Sequence, residues 1–371
     1  MRILHVTKKY PNAIGGDAGY VAALEKEQSC QGHQVFILTA NCPEVVSKEN
    51  VFRFGLRDKA RNWDRLGLKR ILSCLWLVIV FPKFIFKCRP DIIHAHSQEL
   101  GWIASRWAKF FGIPVVLTCH SVMFPYKDED LFRRCMDYLF LKSGAFSGII
   151  TVDSQALKHF LKRGFKNCVY LPVGVDQEVF QEIDSLRNPG NGIVRFLYVG
   201  RLERIKGVGL LLRSARALLE KNNNFEINIV GDGLLEKMLQ AQAVELGLGP
   251  WVKFRGVIND RKALADIYKS SDIFVLPSLR ERFPLVILEA WAARSALIAP
   301  MVGSIPDVCT HLKDAYLVPP GNVSALSLAM LTLMENKGMR QDLAKNGYDL
   351  AKNKFSWAKI NNDLQGIYLK I

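Results

Sequence analysis

No two of the eight cysteines stand in a C-x-x-C pair. Neither a zinc site nor a disulfide scaffold is therefore expected, and the scatter fits a reducing compartment. The chain also lacks G-x-G-x-x-G and a P-loop, so a dinucleotide or ATP site has no direct motif. There is no short-period tandem repeat and no low-complexity tract. No uninterrupted apolar run reaches the roughly 20 residues that span a bilayer. The nearest, KRILSCLWLVIVFPKFIFKCRP at 69–90, is broken by Pro82 and Lys83. The start, MRILHVTKKYPN, is no signal peptide: its apolar part is too short and lysines follow it. Acids are scarce, with 35 Asp+Glu against 50 Lys+Arg and a net charge of +15. That excess favours an anionic partner: nucleic acid, acidic lipid or a phosphorylated ligand. Zinc-finger spacing and RNA-binding aromatic motifs are missing, which argues against nucleic acid.

What is present is length and core: 371 residues, 49% hydrophobic, enough for about two domains. RILHVT, QVFILTA, DIIHAH, PVVLTCH, GIITVD and CVYLPV read as strands, with amphipathic stretches such as YVAALEKEQSCQG and GWIASRWAKFFG between them. After a polar Gly/Pro-containing stretch, QEIDSLRNPGNG at 181–192, the rhythm restarts with VRFLYVG, FEINIVG, WVKFRG, DIFVLP and SALIAP. Strand and helix alternating in this way imply parallel sheets covered on both faces. The expected class is α/β: two doubly wound Rossmann-like domains facing a central cleft, at 1–180 and 193–355, joined by a linker at 181–192. FSWAKINNDLQGIYLKI ends the sequence as an amphipathic helix. The 69–90 segment is either a buried helix of the first domain or a helix that also touches a membrane. Arg61, Arg65, Lys69, Arg70, Lys83, Lys87 and Arg89 crowd it, and Trp76 suits an interface.

In such sheets ligands gather at the carboxyl ends of strands. Gly15 and Gly16 stand where the first strand gives way to a helix, a place where backbone N–H groups approach phosphate or simply a tight turn. YVGRLERIKG places Gly200, Arg201 and Lys206 after the first strand of the second domain, two cations suited to a diphosphate. Gly231 and Gly233 follow the next strand. In SDIFVLPSLRERFPLVILEAWAARS a loop carries Glu281, and a helix with Pro284 in its first turn carries Glu289. A carboxylate can accept two hydrogen bonds from a sugar diol. Diol acceptors, cations and glycines together read as a nucleotide-sugar site. The acids of KDED at 127–130 precede the helical LFRRCMDYLF and suit a helix N-terminus better than a metal.

These residues resemble a known family, the retaining GT-B glycosyltransferases of glycosyltransferase family 4, of the "glycosyl transferases group 1" type. The likeness covers nearly the whole chain and rests on GGDAGYV, GHQV, DIIHAHS, PVVLTCHS, VGRLERIKG, GDG, ERFPLVILEA, GSIPDV and LVPPGN. The spacing of Glu281 and Glu289 behind Arg201 and Lys206 is its most specific part. The resemblance implies that Arg201 and Lys206 neutralise the donor diphosphate, Glu281 contacts the donor sugar, Glu289 holds the ribose and His120 reaches the sugar. Gly16 would let its loop close on the phosphates. Gly15, Gly200, Gly231, Gly233, Arg282, Phe283, Pro284 and Leu285 complete the donor-binding set. His94 is left to the core and His96 is undecided. The resemblance further implies retention of configuration, no metal or cofactor beyond a UDP- or GDP-sugar co-substrate, and a lipid-linked or oligosaccharide acceptor in cell-surface polysaccharide synthesis. Peripheral contact through 61–90 at the inner face of the cytoplasmic membrane follows, as does a last helix at 356–371 crossing back onto the first domain. Arg282 departs from the family, where glycine usually follows the first glutamate, and leaves the donor sugar open. Two other classes fit the same charge and fold: a sugar-nucleotide epimerase, and a non-catalytic membrane or nucleic-acid binder.

Overall fold

The computed structural model describes residues 1–10, 16–43, 45, 48–59, 63, 67–120, 131–180, 192–281 and 284–371. The chain divides into two compact units, Met1–Val173 with Trp357–Ile371, and Gly174–Ser356.

The first unit holds β1 (Arg2–Thr7), α1 (Gly16–Cys30), β2 (Gln34–Ala40), β3 (Val51–Phe54), α2 (Leu68–Cys88), β4 (Ile92–Ala95), α3 (Gln98–Phe110), β5 (Val115–Cys119), α4 (Leu131–Ser143), β6 (Gly148–Thr151), α5 (Ser154–Lys162) and β7 (Cys168–Tyr170). Its seven-stranded sheet has the order β3-β2-β1-β4-β5-β6-β7, all pairs parallel. β1, β4, β5 and β6 are buried along almost their whole length, as strands covered on both faces must be. β3 went unforeseen because VFRF is a short edge strand with no alternation to mark it.

The second unit holds β8 (Val194–Val199), α6 (Val208–Leu219), β9 (Phe225–Val230), α7 (Glu236–Glu245), β10 (Val252–Gly256), α8 (Arg261–Lys269), β11 (Ile273–Val275), α9 (Leu285–Ala292), β12 (Ala296–Pro300), α10 (Ile305–Val308), β13 (Tyr316–Val318), α11 (Val323–Glu335) and α12 (Lys337–Lys354). Short helical turns at Glu178–Phe180 and Arg204–Lys206 precede and follow β8. The strand order is β10-β9-β8-β11-β12-β13. In both sheets the order reverses beside the first strand, which creates a switch point between β1 and β4 and another between β8 and β11.

The last helix, α13 (Trp357–Tyr368), belongs to the first unit. Asn361 Nδ2 donates to Gln31 Oε1 at 2.7 Å, and Gln31 Nε2 donates to Asn362 Oδ1 at 2.8 Å. The first unit ends at Val173, ahead of the linker expected at 181–192. The reason is packing: Val175 N donates to Phe355 O at 2.7 Å, Asp176 pairs with Arg261 at 3.3 Å, and the Phe180 ring meets Tyr268 edge-on. Residues 181–191 of the expected linker lie outside the described residues, as does KDED at 127–130.

The 69–90 segment is the helix expected, α2, and it continues through Pro82 and Lys83. Proline offers no N–H to the carbonyl four residues back. That carbonyl, Val78 O, instead accepts from Trp107 Nε1 of α3 at 2.7 Å. The proline is tolerated because a neighbour's indole supplies the missing donor. Lys8 at 2.7 Å and Arg70 both pair with Glu99, tying α2 to β1 and α3. Leu77, Phe81, Phe84 and Ile85 face the core. Leu72, Leu75, Trp76 and Ile79 face solvent, with Ile79 76% exposed. By length and composition the helix is long and apolar enough to cross a membrane, and 33% of its apolar window is buried.

Candidate functional site

Lys206 and Glu281 meet at the β8/β11 switch point. Lys206 closes the turn after β8 and Glu281 lies in the loop between β11 and α9. Two local features bring them together. Gly207 has φ +69°, and a side chain there would collide with the Pro277 carbonyl. Leu279 N donates to Ile205 O at 2.8 Å and zips the two loops. Lys206 Nζ then reaches Glu281 Oε1 at 2.7 Å, and Ser278 Oγ donates to the same oxygen at 2.7 Å. The Glu281 side chain is only 7% exposed, so the ion pair is weakly screened by solvent. Ser278 was not foreseen; a serine in a loop carries no signal until its neighbours are placed.

Arg201 leaves β8 on an exposed side chain paired with Glu203 Oε1 at 2.7 Å, and its carbonyl accepts from the buried Tyr198 hydroxyl at 2.9 Å. Gly200 N donates to Val230 O at 3.0 Å. A side chain on Gly231 would strike the Gly200 carbonyl, and one on Gly233 the Leu202 carbonyl. These glycines have a packing reason: they let the exits of β8 and β9 close on one another, which aligns backbone at the strand ends.

Pro284 sits immediately before the first helical residue of α9, Leu285, rather than within the first turn. Its carbonyl accepts from Ile287 N at 3.1 Å, so the ring still sets the helix entry. Glu289, one turn on, points at α8, where Tyr268 OH donates to Glu289 Oε2 at 2.8 Å. Burial pushes the Glu289 carboxyl above its usual range, against the Tyr268 bond and the field of Arg261. Tyr268 itself was missed, since a tyrosine at a core position of α8 looks like packing alone. Arg282, Phe283 and Gly15 lie outside the described residues, and Gly16 opens α1.

The first unit gathers imidazoles at the carboxyl ends of its central strands. His5 Nδ1 meets His96 Nε2 at 2.9 Å, His5 Nε2 meets Gln28 Oε1 at 2.8 Å, and His96 Nδ1 meets His120 Nε2 at 3.2 Å. His94 bonds Tyr368 OH at 2.6 Å and Thr118 Oγ1 at 2.7 Å. His94 is thus a core residue, and His96 joins the core to His120. The ligating atoms of His5, His94 and His96 lie within 4.8 Å of one another, yet both ring nitrogens of each are engaged in these hydrogen bonds. Tyr20, also unforeseen, meets the His120 ring edge-on at 4.6 Å and Trp357 at 5.2 Å.

Burial pulls His5 down to about 4, opposed by the Gln28 bond and by Glu25. Burial and the neighbouring imidazoles hold His94 and His96 well below the ordinary value. Unfolded, all three protonate near their usual 6.5. The unfolded state therefore binds more protons below that point, so stability falls with pH from 6.5 down to about 4. The slope approaches ~1.4 kcal/mol per pH unit for each histidine that stays neutral. Melting curves should show a lower Tm at about pH 5 than at about pH 7; an equal Tm would mean the imidazoles are solvated.

Two family models match the chain. "Glycosyltransferase Family 4" covers residues 14–179 and "Glycosyl transferases group 1" covers residues 182–350. An uncharacterized glycosyltransferase of Methanocaldococcus jannaschii is 25% identical, over 99% of this chain and 98% of that one. Among solved structures, sucrose-phosphate synthase from Thermosynechococcus elongatus superposes with a TM-score of 0.82 at 21% identity, covering 100% of this chain and 99% of its own. Anabaena HepE in complex with UDP gives 0.79 at 18% identity and covers 100% of both chains. At these identities the structures establish a shared fold.

Proposed function

Since the chain belongs to the GT-B glycosyltransferases of family 4, we propose that it moves a sugar from a UDP- or GDP-sugar to a lipid-linked or oligosaccharide acceptor, with retention of configuration and without a metal. The observation that carries this is the Lys206–Glu281 pair at the β8/β11 switch point. A diphosphate arriving there meets the Lys206 ammonium, with the Arg201 guanidinium on the same strand exit. Both offset charge that grows on the leaving group in the transition state. Glu281 accepts from hydroxyls of the donor sugar, Glu289 from the ribose diol, and His120 meets a sugar hydroxyl.

In the step itself the bond between the anomeric carbon and the β-phosphate oxygen breaks. The acceptor oxygen bonds to that carbon on the same face, and its proton passes to the departing phosphate. Holding the reactants together supplies much of the remaining acceleration. HepE, solved with UDP, supports the nucleotide class.

The acceptor reading rests on α2. Its apolar solvent face, Leu72, Leu75, Trp76 and Ile79, has Lys69, Lys83 and Lys87 close by in sequence. That combination suits an interfacial helix on anionic lipid. It supports our reading of a peripheral enzyme at the inner face of the cytoplasmic membrane that builds a cell-surface glycan.

The test is release of nucleoside diphosphate from a panel of UDP-, GDP- and ADP-sugars, with and without membrane lipid extract. Release that requires one donor and rises with lipid is expected. Interconversion of donor sugars without an acceptor would replace the reading with an epimerase. No turnover alongside tight binding to anionic vesicles would replace it with a membrane binder.

A further inference from the structure

Glu289 stands in the second turn of α9, the helix that follows the β11 loop at the β8/β11 switch point. A glutamate side chain has three torsions, so on a bare helix its carboxylate samples several positions. Here one oxygen is taken. Tyr268 OH of α8 donates to Glu289 Oε2 at 2.8 Å. The other oxygen, Oε1, has no hydrogen-bond partner among the described residues, and it is not one of the buried side-chain atoms left unpaired. It is therefore open to a ligand.

Chemistry fixes the sense of the bond. Burial, and then the Glu289 carboxylate, hold the Tyr268 hydroxyl well above its ordinary range, so it keeps its proton and donates. Burial favours the neutral form of Glu289, while the Tyr268 hydroxyl, and then Arg261, favour the carboxylate. The tyrosine is held in place. It is fully buried, its ring stacks on Phe274 of β11 at 5.6 Å, and Phe180 meets it edge-on at 6.0 Å. Ser295 Oγ donates to the Tyr268 carbonyl at 3.1 Å and pins the end of α8.

We propose that Tyr268 is a positioning residue: it holds Glu289 by Oε2 so that Oε1 is presented to the ribose hydroxyls of the donor nucleotide, and the pair makes the site select ribose over a deoxygenated sugar. The proposal rests on the transferase reading above, in which Glu289 meets the ribose. An acceptor held in advance loses no binding energy to its own ordering. A nucleotide without the hydroxyls leaves Oε1 without its partner, and a polar group left unpaired is what discriminates between such ligands.

The experiment is calorimetric binding of UDP and GDP, each beside its 2′,3′-dideoxy counterpart, to the full chain. The ribose preference is the ratio of the two dissociation constants. In the wild type it should be on the order of a hundredfold for whichever nucleotide binds more tightly. Glu289→Ala should abolish it. Tyr268→Phe should cut it about tenfold, while affinity for the dideoxy form stays within about threefold of wild type. The phenyl ring keeps the packing on Phe274 and Phe180, so a loss confined to the ribose form reports position rather than folding. In the Glu289→Ala background Tyr268→Phe should change nothing further, because two residues acting through one contact are not additive.

If Glu289→Ala abolishes the preference and Tyr268→Phe keeps it, the proposal alone is overturned. It is overturned equally if Tyr268→Phe weakens both forms of the nucleotide alike, which is what lost packing does. Should Tyr268→Phe not fold, Glu289→Asp asks the same question. Its carboxylate is drawn back by about 1.5 Å, out of reach of a hydroxyl that now sits at 2.8 Å. The ribose preference should then fall, and an unchanged preference overturns the proposal. If Glu289→Ala keeps the wild-type preference, or if neither nucleotide binds, the reading of Glu289 as the ribose acceptor fails and takes the proposal with it.

Discussion

Lys206→Ala should lower kcat by about two to three orders of magnitude, the usual effect of removing one preorganised group that meets growing negative charge. The same change has a structural cost, because Glu281 is 7% exposed and, among the described residues, would keep Ser278 as its side-chain donor. Removing one partner of a buried ion pair costs about 3 kcal/mol, which would lower Tm and confuse the kinetics. A cycle separates the two effects. Lys206→Met combined with Glu281→Gln removes both charges and leaves a neutral amide for Ser278, so stability should largely return. Activity should not, since the Lys206 ammonium that meets the diphosphate is gone and Arg201 is left to meet it alone. If the double variant recovered turnover along with Tm, Lys206 would be a structural partner of Glu281 and nothing more. If Lys206→Ala retained turnover within about threefold of wild type, the diphosphate would have to be met elsewhere.

Deleting Trp357–Ile371 should abolish independent folding of the first unit. α13 buries Ile360, Asn361 and Leu364 completely and Tyr368 to 5% exposure. Removing three large apolar side chains of this kind forfeits about 5–9 kcal/mol of burial. That is comparable to the whole stability of a typical domain. The loss also strips polar partners. The Tyr368 hydroxyl leaves His94 Nδ1, and Gln31 and His33 lose their bonds to Asn361, Asn362 and Gln365. Calorimetry is the appropriate check, because a chain with two units need not melt in one step. The expected trace loses the first unit's transition and keeps that of Gly174–Ser356. A truncated chain that melted like the intact one would show that α13 decorates the first unit rather than completing it. Ile360→Ala with Leu364→Ala is the milder version and should cost about 2–5 kcal/mol per site.

The two doubly wound sheets were legible in the sequence because parallel strands buried on both faces are written as short apolar runs, and RILHVT, QVFILTA, VRFLYVG and FEINIVG all became β1, β2, β8 and β9. The site was partly legible for a related reason. Strand ends at which ligands collect are local in sequence, so Arg201, Lys206 and Glu281 could be placed on loops from the pattern around them. What the pattern could not supply was which side chains meet. Tyr268 reaches Glu289 from another helix, and Ser278 matters only once its loop is zipped to Ile205. Pro82 leaves Val78 O without a donor in its own helix, and the donor that serves it is Trp107, on a different helix. The sequence by itself determined the fold class, the strand ends where chemistry gathers and the family, since all three depend on residues near one another in the chain. Only the tertiary structure decided the Lys206–Glu281 pair, the end of the first unit at Val173 and the histidine file from Gln28 to His120. Those depend on contacts between residues far apart in the chain, and no local spacing encodes them.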